Sequence, residues 1–324
     1  MNAGGAAFYG PDEVRDLLDY PGCIDAVRSA MSALSWSKAE QPLRTIIPLG
    51  PGELFGLMPG TYALRGLFGA KLVSVFNDPD RPGHLTHRGV VVLFDRADGG
   101  IRCIADAGAV TDIRTACASA AATDAMARRD SRVLAIFGTG AQARSHIRAL
   151  LHVRPIGRIV IWGRSARRAR ELEEWAARET GLEAFSTTDG KAAAADADII
   201  CTVTAAAEPI LLGDWVSPGT HVNLVGSSHL GPTETDNSLV ARSRYVADSR
   251  ASALAAAAEF AAAKAAGIVD DSHIAGEIGD VLLDRIPGRT DAGEVTLYKS
   301  LGHVMQDLAS AAYVDERARG RNTS

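Results

Sequence analysis

The chain has 324 residues, a formal net charge of −5, 47% hydrophobic and 23% charged residues. That balance is ordinary for a globular enzyme and offers no global basic field for nucleic acid or anionic lipid. Cys23, Cys103, Cys117 and Cys201 form no C-x-x-C pair, and no apolar run approaches the ~20 residues that span a bilayer, so the reading is a cytoplasmic protein without disulfide framework, metal site or membrane segment.

In chain order, helical spacing is predicted over Asp12 to Leu18 and Cys23 to Trp36, and strands over Leu43 to Pro48, Gly69 to Phe76 and Gly89 to Asp95. Asp98-Gly99-Gly100 between apolar runs is a hairpin signal, with Ile101 to Asp106 as the return strand. A small-residue helix follows from Asp112 to Ala127. From Arg132 the pattern alternates strand and helix: Val133 to Phe137, Gln142 to Val153, Arg158 to Trp162, Ala166 to Thr180, Leu182 to Ser186, Ile199 to Thr204, Thr220 to Val225 and Arg244 to Ala247. Such alternation predicts a doubly wound parallel sheet, an α/β fold. Ala251 to Gly267 reads as one alanine helix closing at its glycine, and His303 to Tyr313 as another helix. The stretch from Glu294 onward is expected to return to the first domain.

The most informative segment is Gly138-Thr139-Gly140-Ala141-Gln142-Ala143, directly after a short apolar run and directly before a helix. Strand, glycine turn and helix in that order form a dinucleotide cradle. Gly138 permits the sharp turn, Gly140 lets a pyrophosphate approach the backbone, and Ala143 lets helix and strand pack closely. The second strand of this unit ends in Gly163-Arg164-Ser165, with no carboxylate to accept from a ribose 2′-OH. Arg164, with Arg167 or Arg168, offers instead a fork for a 2′-phosphate, which favours NADP(H) over NAD(H).

Five blocks then converge: Gly69-Ala-Lys71-Leu-Val, Leu85-Thr86-His87-Arg-Gly-Val-Val-Val-Leu-Phe94, Asp112-Ile-Arg114-Thr115-Ala-Cys-Ala-Ser119, the glycine turn, and Glu294-Val-Thr-Leu-Tyr-Lys-Ser-Leu-Gly302. Together they resemble the ornithine cyclodeaminase/mu-crystallin family over nearly the whole chain. The resemblance implies a Rossmann-type nucleotide domain at 127–293, inserted into an α+β substrate-binding and dimerisation domain formed by 1–126 and 294–324, in a homodimer. It implies that Arg44, Lys71 and Arg114 hold a substrate carboxylate and that Thr86 lies near the substrate. Gly138, Thr139, Gly140, Ala141, Gln142, Arg164, Ser165, Thr202 and Val225 match cofactor-contacting positions. Thr115, Gly163, Arg168, Val203, Gly226 and Ser228 join them as candidates, and Phe55, Met58, Val73 and the His229–Leu230 region as pocket walls.

A lysine within the apolar Gly69–Phe76 run also points to a site without any family argument, because an unpartnered buried ammonium is costly. One departure matters. Cyclodeaminases of the family carry an aspartate where this chain has Ser228, and a serine is no comparable base near neutral pH. The neighbouring His229 carries an imidazole and is a candidate proton carrier, as His87 is a candidate pocket residue. The resulting expectation is an NADPH-dependent reductase of a small α-imino acid, a cyclic ketimine or the imine of an α-keto acid. The alternatives are an amino-acid dehydrogenase of alanine or N-carboxyethyl type, an ornithine cyclodeaminase, and a non-catalytic crystallin-like binder.

Overall fold

The computed structural model describes residues 6–37, 41–77 and 85–321, and they divide into two compact units. Unit 1 takes both chain ends, up to Arg114 and from His303; unit 2 is Thr115–Gly302. The divisions therefore fall at 114/115 and 302/303, inside the long small-residue helix and after the last strand, rather than at 126/127 and 293/294.

Unit 1 begins with β1 (Ala7–Tyr9), α1 (Pro11–Leu17), α2 (Tyr20–Ser37), β2 (Thr45–Gly50), β3 (Glu53–Tyr62), β4 (Leu67–Asn77), β5 (Leu85–Asp95) and β6 (Ile101–Asp106). The strands form one sheet in the order β1-β6-β5-β4-β3-β2, antiparallel except for the β1–β6 pair. The β5–β6 hairpin turns at Gly99, whose φ of 72° is the conformation the Asp-Gly-Gly signal requires. The helix α3 (Ala107–Met126) leaves this sheet. Alanines and other small residues let it pack closely, with Ala116, Cys117, Ser119 and Ala120 at 0% exposure. β3 was not foreseen; although it contains Pro59 and two glycines, Pro59 pairs with Ala70 in an unbroken register.

Unit 2 continues with β7 (Val133–Phe137), α4 (Ala141–Leu150), β8 (Arg158–Trp162), α5 (Ala166–Thr180), β9 (Glu183–Thr187), α6 (Gly190–Ala194), β10 (Ile199–Thr202), β11 (His221–Leu224), α7 (Asn237–Arg242), β12 (Ser243–Ala247), α8 (Arg250–Ala256), α9 (Ala258–Ala265), β13 (Ile274–Glu277), α10 (Ile278–Leu282) and β14 (Val295–Lys299). All eight strands are parallel, in the order β13-β12-β14-β11-β10-β7-β8-β9. The strand order reverses between β7 and β10, and ligands of such sheets bind at that switch point, outside the carboxyl ends of the strands.

Two expectations fail here. Residues 294–302 do not return to the first domain; β14 lies between β11 and β12 and is buried along its whole length, so the chain crosses back only at His303. The alanine segment is two helices, not one. Ala257 breaks it with an extended ψ of 100°, and the break starts α9 so that Glu259 sits buried in its first turn. Alanines carry no side chain that could signal such a break. The last helix, α11 (Val304–Arg321), packs in unit 1 against α2 and strands β3 to β6, with Leu308 and Val314 at 0% exposure.

Candidate active site

Lys71 occupies the middle of β4, opposite Met58 of β3 and Val91 of β5, and is 5% exposed. Nζ donates to Thr111 Oγ1 at 2.6 Å and to Asp307 Oδ1 at 3.2 Å. Arg114 Nε donates to the same Asp307 oxygen at 2.9 Å, while its terminal nitrogen donates to Gln306 Oε1 at 2.8 Å. The second turn of α3 and the first turn of α11 thus supply the partners of a strand lysine. Asp307 Oδ2 is buried and has no hydrogen-bond partner among the described residues.

Burial works first against the Lys71 ammonium, and the Arg114 and Arg44 charges add to that against the attraction of Asp307; the pKa falls to about 8. Burial alone would raise the Asp307 carboxyl, but the Arg114 and Lys71 charges outweigh it and hold it below the usual carboxylate range. Arg44, half-buried just before β2, acts on Lys71 and on His303 through its charge. His303 is 8% exposed; burial foremost pushes its pKa down to about 4.

Unit 1 therefore brings Arg44, Lys71 and Arg114 together, and adds Thr111, His303, Gln306 and Asp307, which sequence reasoning missed. Their only signal was a polar Gln306-Asp307 pair opening an apolar helix. The backbones of Thr86 and His87 lie on β5 opposite Phe76 and Val75; their side chains lie outside the described residues. Phe55 does not join this site. It pairs with Ser74, three residues from Lys71, and the period of two puts it on the opposite face from Met58 and Val73.

In unit 2 the glycine turn sits between β7 and α4. Gly138 has φ 135°, and a Cβ there would stand 2.8 Å from the carbonyl oxygen of Val203. Gly140 is the N-cap of α4 with no side-chain cap, and a Cβ built on it would meet nothing within 4 Å. The positive end of α4 therefore lies beside open space at Gly140. An extended diphosphate fits that opening, and the residues that would hold it are Gly138, Thr139, Gly140, Ala141 and Gln142. Thr139 packs against Gly163, where a Cβ would come 2.7 Å from its methyl carbon. Arg164 is exposed at the end of β8, as is Arg168. Ser165 caps α5 by accepting the Arg168 N–H at 3.4 Å, and Arg167 pairs with Glu171 on the same helix.

Glu234, another residue sequence reading passed over, binds the loops that end β10 and β11. Its carboxylate accepts from Thr202 Oγ1, the Thr204 N–H and hydroxyl, and the Gly226 N–H, each at 2.7 Å. The side chain of Thr202, read as a cofactor-contacting position, is fully buried and committed to Glu234. Gly226 is required at its position, since a Cβ would fall 2.0 Å from the Thr204 carbonyl. Glu259 and Lys299 complete this buried brace: Lys299 Nζ donates to Glu259 at 3.0 Å and to the Ser227 carbonyl at 2.6 Å. Val203, Val225 and Ser228 are half-buried along these loops, His229 is exposed, and Thr115 is buried in α3.

Over residues 9–322 the chain matches the ornithine cyclodeaminase/mu-crystallin family. The Delta(1)-pyrroline-2-carboxylate reductase of Paracoccus denitrificans (strain Pd 1222) is 34% identical over 298 residues, covering 88% of this chain and 93% of that protein. The solved Delta(1)-pyrroline-2-carboxylate reductase of Thermococcus litoralis, in complex with NADH and L-proline, is similar with a TM-score of 0.93 and 27% identity, over 98% of each chain. An archaeal alanine dehydrogenase dimer with bound NAD is similar with a TM-score of 0.91 and 26% identity, over 98% of this chain and 97% of that one.

Proposed function

We propose, from the premise that this chain belongs to the ornithine cyclodeaminase/mu-crystallin family, that it reduces a small α-imino acid to the amino acid with a nicotinamide dinucleotide, preferring NADPH. The observation that carries the reading is the sharing of one carboxylate oxygen by two buried cations, Lys71 and Arg114. Two positive groups against one negative group leave a net positive charge at that carboxylate. A buried excess of that sign favours an anion beside it. The carboxylate of an imino acid is that anion.

When bound, the dinucleotide supplies the hydride that the imino carbon receives. The chain's own groups do the rest. Arg44 and Arg114 bind the acid group by charge-assisted hydrogen bonds, which fixes the adjacent carbon. Lys71, with a pKa of about 8, holds a proton near neutrality and can release it to the substrate nitrogen, so that one hydride on carbon and one proton on nitrogen turn C=N into CH–NH. Gly138 to Gln142 hold the diphosphate, while Arg164 and Arg168 meet the 2′-phosphate. Ser228, in place of an aspartate, takes no proton from a substrate amine, which sets cyclodeamination aside.

The archaeal alanine dehydrogenase likeness favours one rival, reductive amination of pyruvate. Assay with Δ1-pyrroline-2-carboxylate, and separately with pyruvate plus ammonia, each with NADPH and NADH, decides between them. Turnover on the cyclic imine with NADPH is expected; turnover on pyruvate and ammonia alone would refute the cyclic-imine choice.

The chain also acts as a homodimer in this reading. The edge strand β2 exposes apolar residues on both faces, Ile46 at 47%, Ile47 at 45% and Leu49 at 55%, and a second copy covers them. Sedimentation at micromolar concentration should give twice the 34.0 kDa chain mass.

A further inference from the structure

His303 plays no part in the mechanism above, yet it belongs to the same cluster of groups. It stands directly before α11, one helical turn ahead of Asp307, and follows Gly302, whose φ of 82° turns the chain into the helix. Its imidazole is 8% exposed. Nδ1 accepts the N–H of Met305 at 3.2 Å, so the side chain caps the helix. A neutral imidazole that accepts at Nδ1 carries its proton on Nε2. No hydrogen bond of Nε2 is formed among the described residues.

The charges acting on this ring are Asp307, Arg114 and Arg44. The arginines only donate, so neither can receive the Nε2 proton. Asp307 has already given Oδ1 to Lys71 and Arg114, and its Oδ2 has no partner. No described residue therefore supplies an acceptor for Nε2–H, and the arginine charges acting on the ring favour an anionic one.

We infer that His303 is a substrate-contacting residue whose Nε2–H donates to the acid group of the bound imino acid, beside Arg44 and Arg114. This rests on the imino-acid reductase reading. It adds a neutral, directional donor to two charged ones: the cations set the sign of the ligand, and the imidazole sets the orientation of its oxygens.

The bland alternative is a helix cap and nothing more, and His303→Asn separates the two. An asparagine keeps a side-chain acceptor for the Met305 N–H and removes Nε2. The full-length variant should melt at the wild-type temperature and bind NADPH unchanged. Its KM for Δ1-pyrroline-2-carboxylate should rise roughly 10-fold, as loss of one hydrogen bond to a charged group implies, with kcat little altered. Calorimetric affinity for L-proline should fall to the same extent. His303→Gln, which restores an N–H donor at that reach, should recover most of it. Unchanged KM and L-proline affinity in His303→Asn overturns the inference, whatever the melting temperature. If His303→Asn does not fold, an unchanged KM in a folded His303→Phe overturns it equally. Failure of the underlying reading is separate: the unaltered protein would then turn over no imino acid at all.

Discussion

Lys71 Nζ lies 3.2 Å from Asp307 Oδ1, an ammonium and a carboxylate that are 5% and 0% exposed. They sit 236 positions apart in the chain. Asp307 is the counterion of both Lys71 and Arg114, so Asp307→Asn leaves two buried cations without a negative partner. Removing one member of a buried pair costs about 3–5 kcal/mol. Urea denaturation should show a loss of that order, while Asp12→Asn, at an exposed pair with Arg15, should change little.

The same pair sets a pH dependence. On the proposed mechanism Lys71 is protonated when it holds the acid and supplies the proton, and its pKa in the free protein is about 8. kcat/KM should therefore fall as pH rises through about 8. Asp307 raises the Lys71 pKa, so Asp307→Asn should move that limb to lower pH. A profile flat to pH 9.5 in the unaltered protein would take Lys71 out of proton transfer.

His146 gives a second, independent pH effect. It is fully buried, and its Nδ1 lies 2.8 Å from the Gln142 carbonyl, which can only accept; Nδ1 therefore carries the proton and Nε2 accepts from the Ser119 hydroxyl at 2.9 Å. Burial pushes its pKa from 6.5 down to about 4. The unfolded chain thus binds a proton between those values that the folded chain refuses, so stability is full above 6.5 and is lost as pH falls towards 4. The contribution is about 3 kcal/mol at about 1.4 kcal/mol per pH unit. His146→Gln should flatten the fall in melting temperature between pH 6.5 and 4.

Legibility followed sequence distance. The strand Val133–Phe137, the Gly138 turn and the helix after it are written in contiguous residues, and their bounds came out nearly as read. Lys71 betrayed itself because one charge stood in an apolar strand. Asp307, His303 and Glu234 did not, because each gains its meaning from partners on other elements, and a lone carboxylate on a helix reads as solvent-facing. β14 was misplaced for a related reason: strand order in a sheet is a tertiary fact, and a buried apolar run carries no mark of which unit it enters. The identity of Phe55 as a pocket wall failed on register, where a single-residue offset changes the face.

The two glycines of the turn should behave differently. Gly138 has φ 135° and its Cβ would strike the Val203 carbonyl at 2.8 Å, so Gly138→Ala should lower the melting temperature of the protein alone. Gly140 has φ −88° and ψ −167°, which any residue adopts, and open space beyond it. Gly140→Ala should leave the unliganded protein as stable as before and weaken dinucleotide binding by about 10-fold or more, because the added methyl stands where the backbone must be approached. Fluorescence titration with NADPH and thermal melts without it check both halves.

On the proposed reading, cofactor preference turns on Arg164. β8 leads directly into Gly163-Arg164-Ser165, with no carboxylate to take a ribose 2′-OH, and the Arg164 side chain is exposed there. Arg167 is engaged with Glu171 and Ser165 with the α5 N-terminus, so Arg164 and Arg168 remain as the groups able to meet a 2′-phosphate. A charge-assisted contact to phosphate contributes about 1.5–3 kcal/mol, which is roughly 10–100-fold in affinity. Arg164→Ala should raise the Kd for NADPH by that factor and leave the Kd for NADH within about twofold, since NADH lacks the phosphate. Equal affinity for both dinucleotides in the unaltered protein would defeat the assignment. A parallel loss for both in Arg164→Ala would instead place the guanidinium on the adenine face, where it stacks without reading the 2′ position.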